Sequence, residues 1–167
     1  ATRRKVTPTG KITITVMALI IIGLLGWIVY QTVYATSPDA LRQRIENGEK
    51  VTGTHISATW GEPMPKILKR AGFDFCIMDT EHGPQDTMEL FNMINSARHA
   101  GLAAWVRLRE VDKEVSRILD LGADGILIPL VETREQAEAL VHYGRFQPIG
   151  DRGISTGSNQ IDYQQVE

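Results

Sequence analysis

No charged residue occurs between Lys11 and Asp39, and residues 12–34 are mostly Ile, Val, Leu, Met, Ala and Gly. A bilayer core calls for about 20 apolar residues in helical form, and this stretch exceeds that length. Ile20, Ile21, Ile22, Leu24 and Leu25 point all round a helix, so the polar face that a core helix of a small domain needs is missing. Trp27, Tyr30 and Tyr34 stand toward its C-terminal end, where amphipathic rings favour the water interface. The stretch predicts one transmembrane helix over residues 12–36, preceded by a tail of residues 1–11.

The flanks orient it. Arg3, Arg4, Lys5 and Lys11 precede the span, whereas its other end meets Asp39 first and Arg42 only later. Basic residues stay on the cytoplasmic side, so we expect a single-pass inner-membrane protein with a cytoplasmic N-terminus and a periplasmic C-terminal domain. The competing reading is a cleaved signal peptide with Val33 and Ala35 as the small residues before the cut. The apolar stretch is longer than the roughly 7–15 residues of a signal h-region.

All 20 acidic residues lie beyond the span, which leaves the rest of the chain net acidic and gives no sign of a nucleic-acid partner. Cys76 is the only cysteine, so no internal disulfide can form. Its place in Phe75-Cys76-Ile77-Met78 predicts a buried, inert thiol.

Ser37-Pro38-Asp39 starts a short helix that Asn47-Gly48 ends, and residues 37–50 read as a connector. Strand-like and helix-like periods then alternate. Strands are expected over residues 51–57, 75–79, 103–108 and 125–131, and helices over 64–71, 87–100, 113–121 and 134–143. Gly72, Gly101, Gly122 and Gly144 sit just past the helices, where a left-handed cap uses glycine. Thr133-Arg134-Glu135-Gln136 has the form of a capping box. Strands this apolar are covered on both faces, as in a parallel sheet, although Pro129 weakens the fourth. The expectation is an α/β domain over residues 51–144, built as an open sheet or part of a barrel, with a loop-like tail over 145–167.

In such folds reactive groups gather at the C-terminal ends of the strands. The second strand ends in Asp79-Thr80-Glu81-His82-Gly83-Pro84. A histidine beside carboxylates can serve as a general base, and the same residues can also be a capped loop whose carboxylates bind backbone amides. Arg107 and Arg109 follow on the third strand, on one side by alternation, as a carboxylate clamp or as surface arginines paired with Glu110 or Asp112. Asp120, near a helix C-terminus where a carboxylate is disfavoured, calls for a specific partner. His55, His99 and His142 are scattered singly and read as structural. No HExxH, CxxC, P-loop or GxGxxG pattern occurs.

Gly53-Thr54-His55, Ala71-Gly72-Phe73-Asp74-Phe75, Asp79-Thr80-Glu81-His82-Gly83-Pro84, Val106-Arg107, Ile118-Leu119-Asp120-Leu121-Gly122-Ala123, Ile128-Pro129-Leu130-Val131 and Gly150-Asp151-Arg152-Gly153 run in an order that resembles the metal-dependent pyruvate aldolases of the HpcH/HpaI aldolase and citrate lyase superfamily. The resemblance spans about residues 41–153 and implies a (β/α)8 (TIM) barrel, here a partial barrel of about four β-α units. It implies catalytic roles for His82 as base with Asp120, and for Arg107 on the pyruvyl oxygens. It also implies a divalent metal such as Mg or Mn, held by a Glu at the end of the fifth strand and an Asp at the end of the sixth.

Neither strand falls within the sequence, so the expectation is no cofactor and no metal site of its own. The favoured role is a catalytically inactive accessory subunit of a larger bacterial membrane complex, respiratory or photosynthetic. The alternative is a membrane-anchored pyruvate aldolase on a longer chain. Two open sheet edges, with Val106, Leu108, Ile128 and Leu130 expected to face inward, call for cover by membrane-protein partners or a second copy, beside the lipid bilayer.

Overall fold

The structure is a computed structural model that describes residues 16–17, 19–26, 38–59, 61–83 and 86–155. The expected span over residues 12–36 lies largely outside them. Its described part, residues 16–17 and 19–26, is helical, and among the described residues no helix is long and apolar enough to cross a membrane.

From residue 38 onward helices and strands alternate: α1 (Pro38–Glu46), β1 (Gly53–Ile56), α2 (Pro63–Arg70), β2 (Phe75–Asp79), α3 (Thr87–Ala100), β3 (Ala103–Arg107), α4 (Glu114–Asp120), β4 (Gly125–Leu127) and α5 (Arg134–Gly144). The four strands form one parallel sheet in the order β1-β2-β3-β4. Sequential parallel neighbours joined by helices are the unit of a βα barrel, and β1 and β4 are the sheet's edges.

Alternation along the strands decides what each face carries. Ile56, Cys76, Met78, Ala104 and Val106 turn to the helices and join Leu90, Met93, Ile94, Ala97, Val115 and Ile118 in one core cluster. The opposite face carries Phe75, Ile77 and Asp79 on β2, and Trp105 and Arg107 on β3. This corrects the expected inward set. Val106 and Leu108 are buried in the helix-side core, Ile128 packs against it, and Leu130 stands 79% exposed. Within β3 the alternation turns Val106 to the helices, opposite Trp105 and Arg107, while Leu108, Ile128 and Leu130 lie past the strand ends at Arg107 and Leu127.

Near the N-terminal ends of the strands Phe75 and Trp105 stack, with centroids 5.0 Å apart. Both edge strands answer with glycine. A Cβ on Gly53 would occupy the Phe75 ring, and one on Gly125 would lie 3.0 Å from Trp105. Large central and small edge residues therefore share this layer.

The helix ends follow their caps. Gly72, Gly101 and Gly122 take positive φ of 91°, 73° and 97°, as expected, while Gly144 is the last residue of α5 and Arg145 caps it in an extended conformation. Thr133 and Gln136 complete the capping box. Asp86 caps α3 through the Glu89 amide at 2.7 Å.

Two joints share a device. After Gly72 and Gly122, Asp74 and Asp124 each precede a strand, and each carboxylate accepts from a backbone amide of the preceding strand region, Thr52 N and Ala104 N, both at 2.8 Å. Their own amides donate back to Thr52 O and Ala104 O. Each aspartate thus fixes the start of its strand against the one before. Cys76 is fully buried, and burial pushes its thiol up to about 12. It is inert, as its neighbours predict.

Candidate active site

At the C-terminal ends of the strands, Asp79 and Arg107 occupy paired positions of β2 and β3. Opposed charges at paired positions favour each other across a sheet. Arg107 donates from Nε to Asp79 Oδ1 at 2.9 Å and from Nη2 to Oδ2 at 2.6 Å, two parallel bonds of the strong charged type. A third contact runs from Nη1 to Glu81 Oε2 at 3.2 Å. Asp79 has no exposed surface, and the Arg107 side chain is 21% exposed. The guanidinium is locked on one side by these three contacts, which use three of its five N–H bonds.

The same carboxylate shapes the loop that follows. Asp79 Oδ1 also accepts from the Glu81 amide at 3.0 Å and the His82 amide at 3.2 Å. Thr80 continues the ladder instead, its amide and its hydroxyl both donating to Arg107 O, at 3.0 and 2.6 Å. The Arg107 guanidinium holds the Asp79 carboxyl far below the usual carboxylate range, against burial, which pushes it up; the His82 amide and the Ser57 hydroxyl add to the lowering. Asp79 is therefore a fixed anion that positions Arg107 and the loop carrying His82.

The His82 ring is 69% exposed, and its Nε2 lies 3.7 Å from Glu81 Oε2. The structure thus brings together His82 and Arg107, with Asp79 and Glu81 between them. Asp120 is not in this group. Helix α4 runs back along the sheet, and the turn after it meets the opposite end of β3, where Asp124 binds Ala104. There Asp120 accepts from Arg152 at 2.5 and 3.2 Å. Arg152 is 2% exposed and lies 4.7 Å above the Phe146 ring. This is the specific partner that a carboxylate at a helix C-terminus calls for, and it ties the turn after α5 to α4. Within the same chain Asp120 makes no contact with His82.

Arg109 has left the strand. It is exposed and lines a cavity of about 230 Å³ with Thr80, Thr87, Leu90 and Arg117, behind the Asp79 loop. The pairing with Glu110 or Asp112 is replaced, for Arg107, by Asp79 and Glu81. His99 donates from Nδ1 to Asn95 O at 2.7 Å, and His142 lies 3.5 Å from Asp151, so neither joins the site.

The sequence reading missed Asp79 as the organiser. The available signal was register: Asp79 and Arg107 each close an apolar strand, and neighbouring parallel strands bring those closing residues level. Among the described residues no group of three or more His, Cys, Asp or Glu is placed to hold a metal ion.

Sequential parallel βα units with charged side chains at the strand ends have the form of part of a βα barrel, and comparison identifies the family. The pattern that describes the HpcH/HpaI aldolase/citrate lyase family matches residues 60–165, so the chain belongs to this family. The 2-keto-3-deoxy-L-rhamnonate aldolase of Escherichia coli (strain K12) is 32% identical over 114 residues, 68% of this chain and 42% of that protein. The crystal structure of an HpcH/HpaI aldolase from Desulfitobacterium hafniense superimposes with a TM-score of 0.71 at 30% identity, covering 76% of this chain and 49% of that one. Citrate synthase SbnG follows with a TM-score of 0.62 at 32% identity, covering 68% of this chain and 46% of its own. The chain thus spans less than half the length of the curated relatives it matches.

Proposed function

We propose that this chain carries the proton-transfer and carboxylate-binding half of a carbon–carbon lyase acting on 2-oxo acids. The observation that carries the reading is the pair of parallel hydrogen bonds between Arg107 and Asp79, because it presents a preset cation beside an exposed histidine. Arg107 receives the pyruvyl oxygens on its unoccupied N–H bonds, so its charge lies where an enolate would develop. His82 takes the proton from the carbon next to the carbonyl and returns it to the product, as imidazole does in general acid-base catalysis. Family membership and the aldolase activity named for the Escherichia coli relative support the same chemistry.

The test is proton exchange, the half-reaction every such lyase shares. Pyruvate incubated in D2O with the protein and added magnesium should lose its methyl proton signal in NMR faster than in buffer. Exchange at the buffer rate would overturn the reading.

A second element of the proposal is the membrane. Leu19, Ile20, Ile21, Ile22, Leu24 and Leu25 form helix with 51–65% of their surface exposed, which supports a lipid-facing role for the apolar stretch, and the basic residues before it support a periplasmic domain. Partners would then be membrane proteins or a second copy. Protease added outside spheroplasts should digest the domain; protection there with digestion in inverted vesicles would refute the topology.

A further inference from the structure

The loop after β4 holds a feature that the site description does not use. Leu130 has a φ of 54°, the one positive φ of a non-glycine residue among those described. A bulky side chain in this left-handed region costs free energy, and glycine or asparagine would take it with less strain. Yet the conformation buries nothing, because Leu130 is 79% exposed and Val131 beside it 40% exposed. A strained backbone that holds an apolar side chain out in water is the kind of outlier found at binding sites.

Its place in the sheet says what it could meet. β4 ends at Leu127, which pairs with Arg107, and the Leu108 amide donates to Leu127 O at 3.0 Å. Leu130 therefore lies in the loop at the strand ends, three residues past the Leu127 that is level with Arg107. Asp79, Glu81, His82 and Arg107 make the rim charged over β2 and β3, whereas Leu130 and Val131 make it apolar over β4. Neighbouring strands are about 4.8 Å apart, roughly the reach of three or four carbon atoms. A ligand whose carboxylate lies on Arg107 would cross that gap with its third carbon and beyond.

We propose that Leu130 is a specificity-determining residue: it forms the apolar wall for the far end of the 2-oxo acid, selecting substrates with carbon chains longer than pyruvate. This rests on the proposed 2-oxo acid site at Arg107. The backbone strain fits the role, since the left-handed turn leaves the side chain exposed rather than in the helix-side core that Ile128 joins.

The experiment is calorimetric titration of the full chain, with magnesium present, by pyruvate, 2-oxobutyrate, 2-oxopentanoate and 2-oxohexanoate. Beyond pyruvate the wild type should bind about fourfold more tightly per added methylene, the transfer value for a buried CH2. Leu130→Asn and Leu130→Gly both accept a positive φ, so the circular dichroism spectrum should be kept. In both, the series should flatten while pyruvate affinity stays at the wild-type value. A series that is flat in the wild type or steep in both variants overturns the assignment, as does loss of pyruvate binding in the variants alone. Failure of the wild type to bind pyruvate at all overturns the 2-oxo acid site and this inference with it.

Discussion

His82→Ala is expected to slow pyruvate methyl exchange by roughly 10²–10⁴-fold, the contribution of a positioned general base, and to leave the fold untouched. The second half of that expectation comes from the geometry. The His82 ring is 69% exposed, and its recorded side-chain contact is Glu81 at 3.7 Å. What the loop needs from this residue is its amide, which donates to Asp79 and which alanine keeps. Melting temperature and circular dichroism should therefore match the wild type. A rate fall accompanied by an equal loss of stability would mean the residue is structural. An unchanged rate would move the base to another group.

The fold was legible in the sequence where short-range chemistry decides it. The bounds expected for β2 and α3 match the structure residue for residue, because an apolar run closed by Asp79 and a helix capped by Asp86 and Gly101 leave little choice. The fourth strand was overrun. Apolar residues continue to Val131, but Pro129 offers no amide to a ladder and Leu130 turns left-handed, so pairing stops at Leu127. The site was half legible. His82 and Arg107 stand out by their place at strand ends, whereas Asp79 looked like one loop carboxylate among several. Its role depends on register between strands 28 residues apart, which composition does not carry. The partner of Asp120 was equally hidden, since Arg152 lies 32 residues away in a stretch without periodicity.

Replacing Asp79 is expected to be among the most destabilising changes in the domain. Asp79→Ala strips Arg107 of two charged hydrogen bonds and leaves the Glu81 and His82 amides without their acceptor. Breaking a buried pair by removing one partner costs about 3–5 kcal/mol. Glu81 still faces Arg107, and the guanidinium is partly open to water, so the expected loss is near the lower end, about 3 kcal/mol. Asp79→Asn keeps an oxygen for the loop amides and should lose less. The sign of the pH dependence follows from the direction of the shift. The folded carboxyl is held far below its ordinary value, so its contribution is fully present above the unfolded pKa of about 3.9 and fades as pH falls further toward the folded value. Urea unfolding of wild type and Asp79→Asn should give a constant gap from about pH 5 to pH 8 that narrows below about pH 4. A gap that stays constant down to about pH 3, or widens there, would show that Asp79 is not the anion on which the site is built. The consequence for function is direct. With Asp79 gone, Arg107 loses its preset direction and the loop its turn, so exchange should fall in Asp79→Asn even under conditions where the protein remains folded.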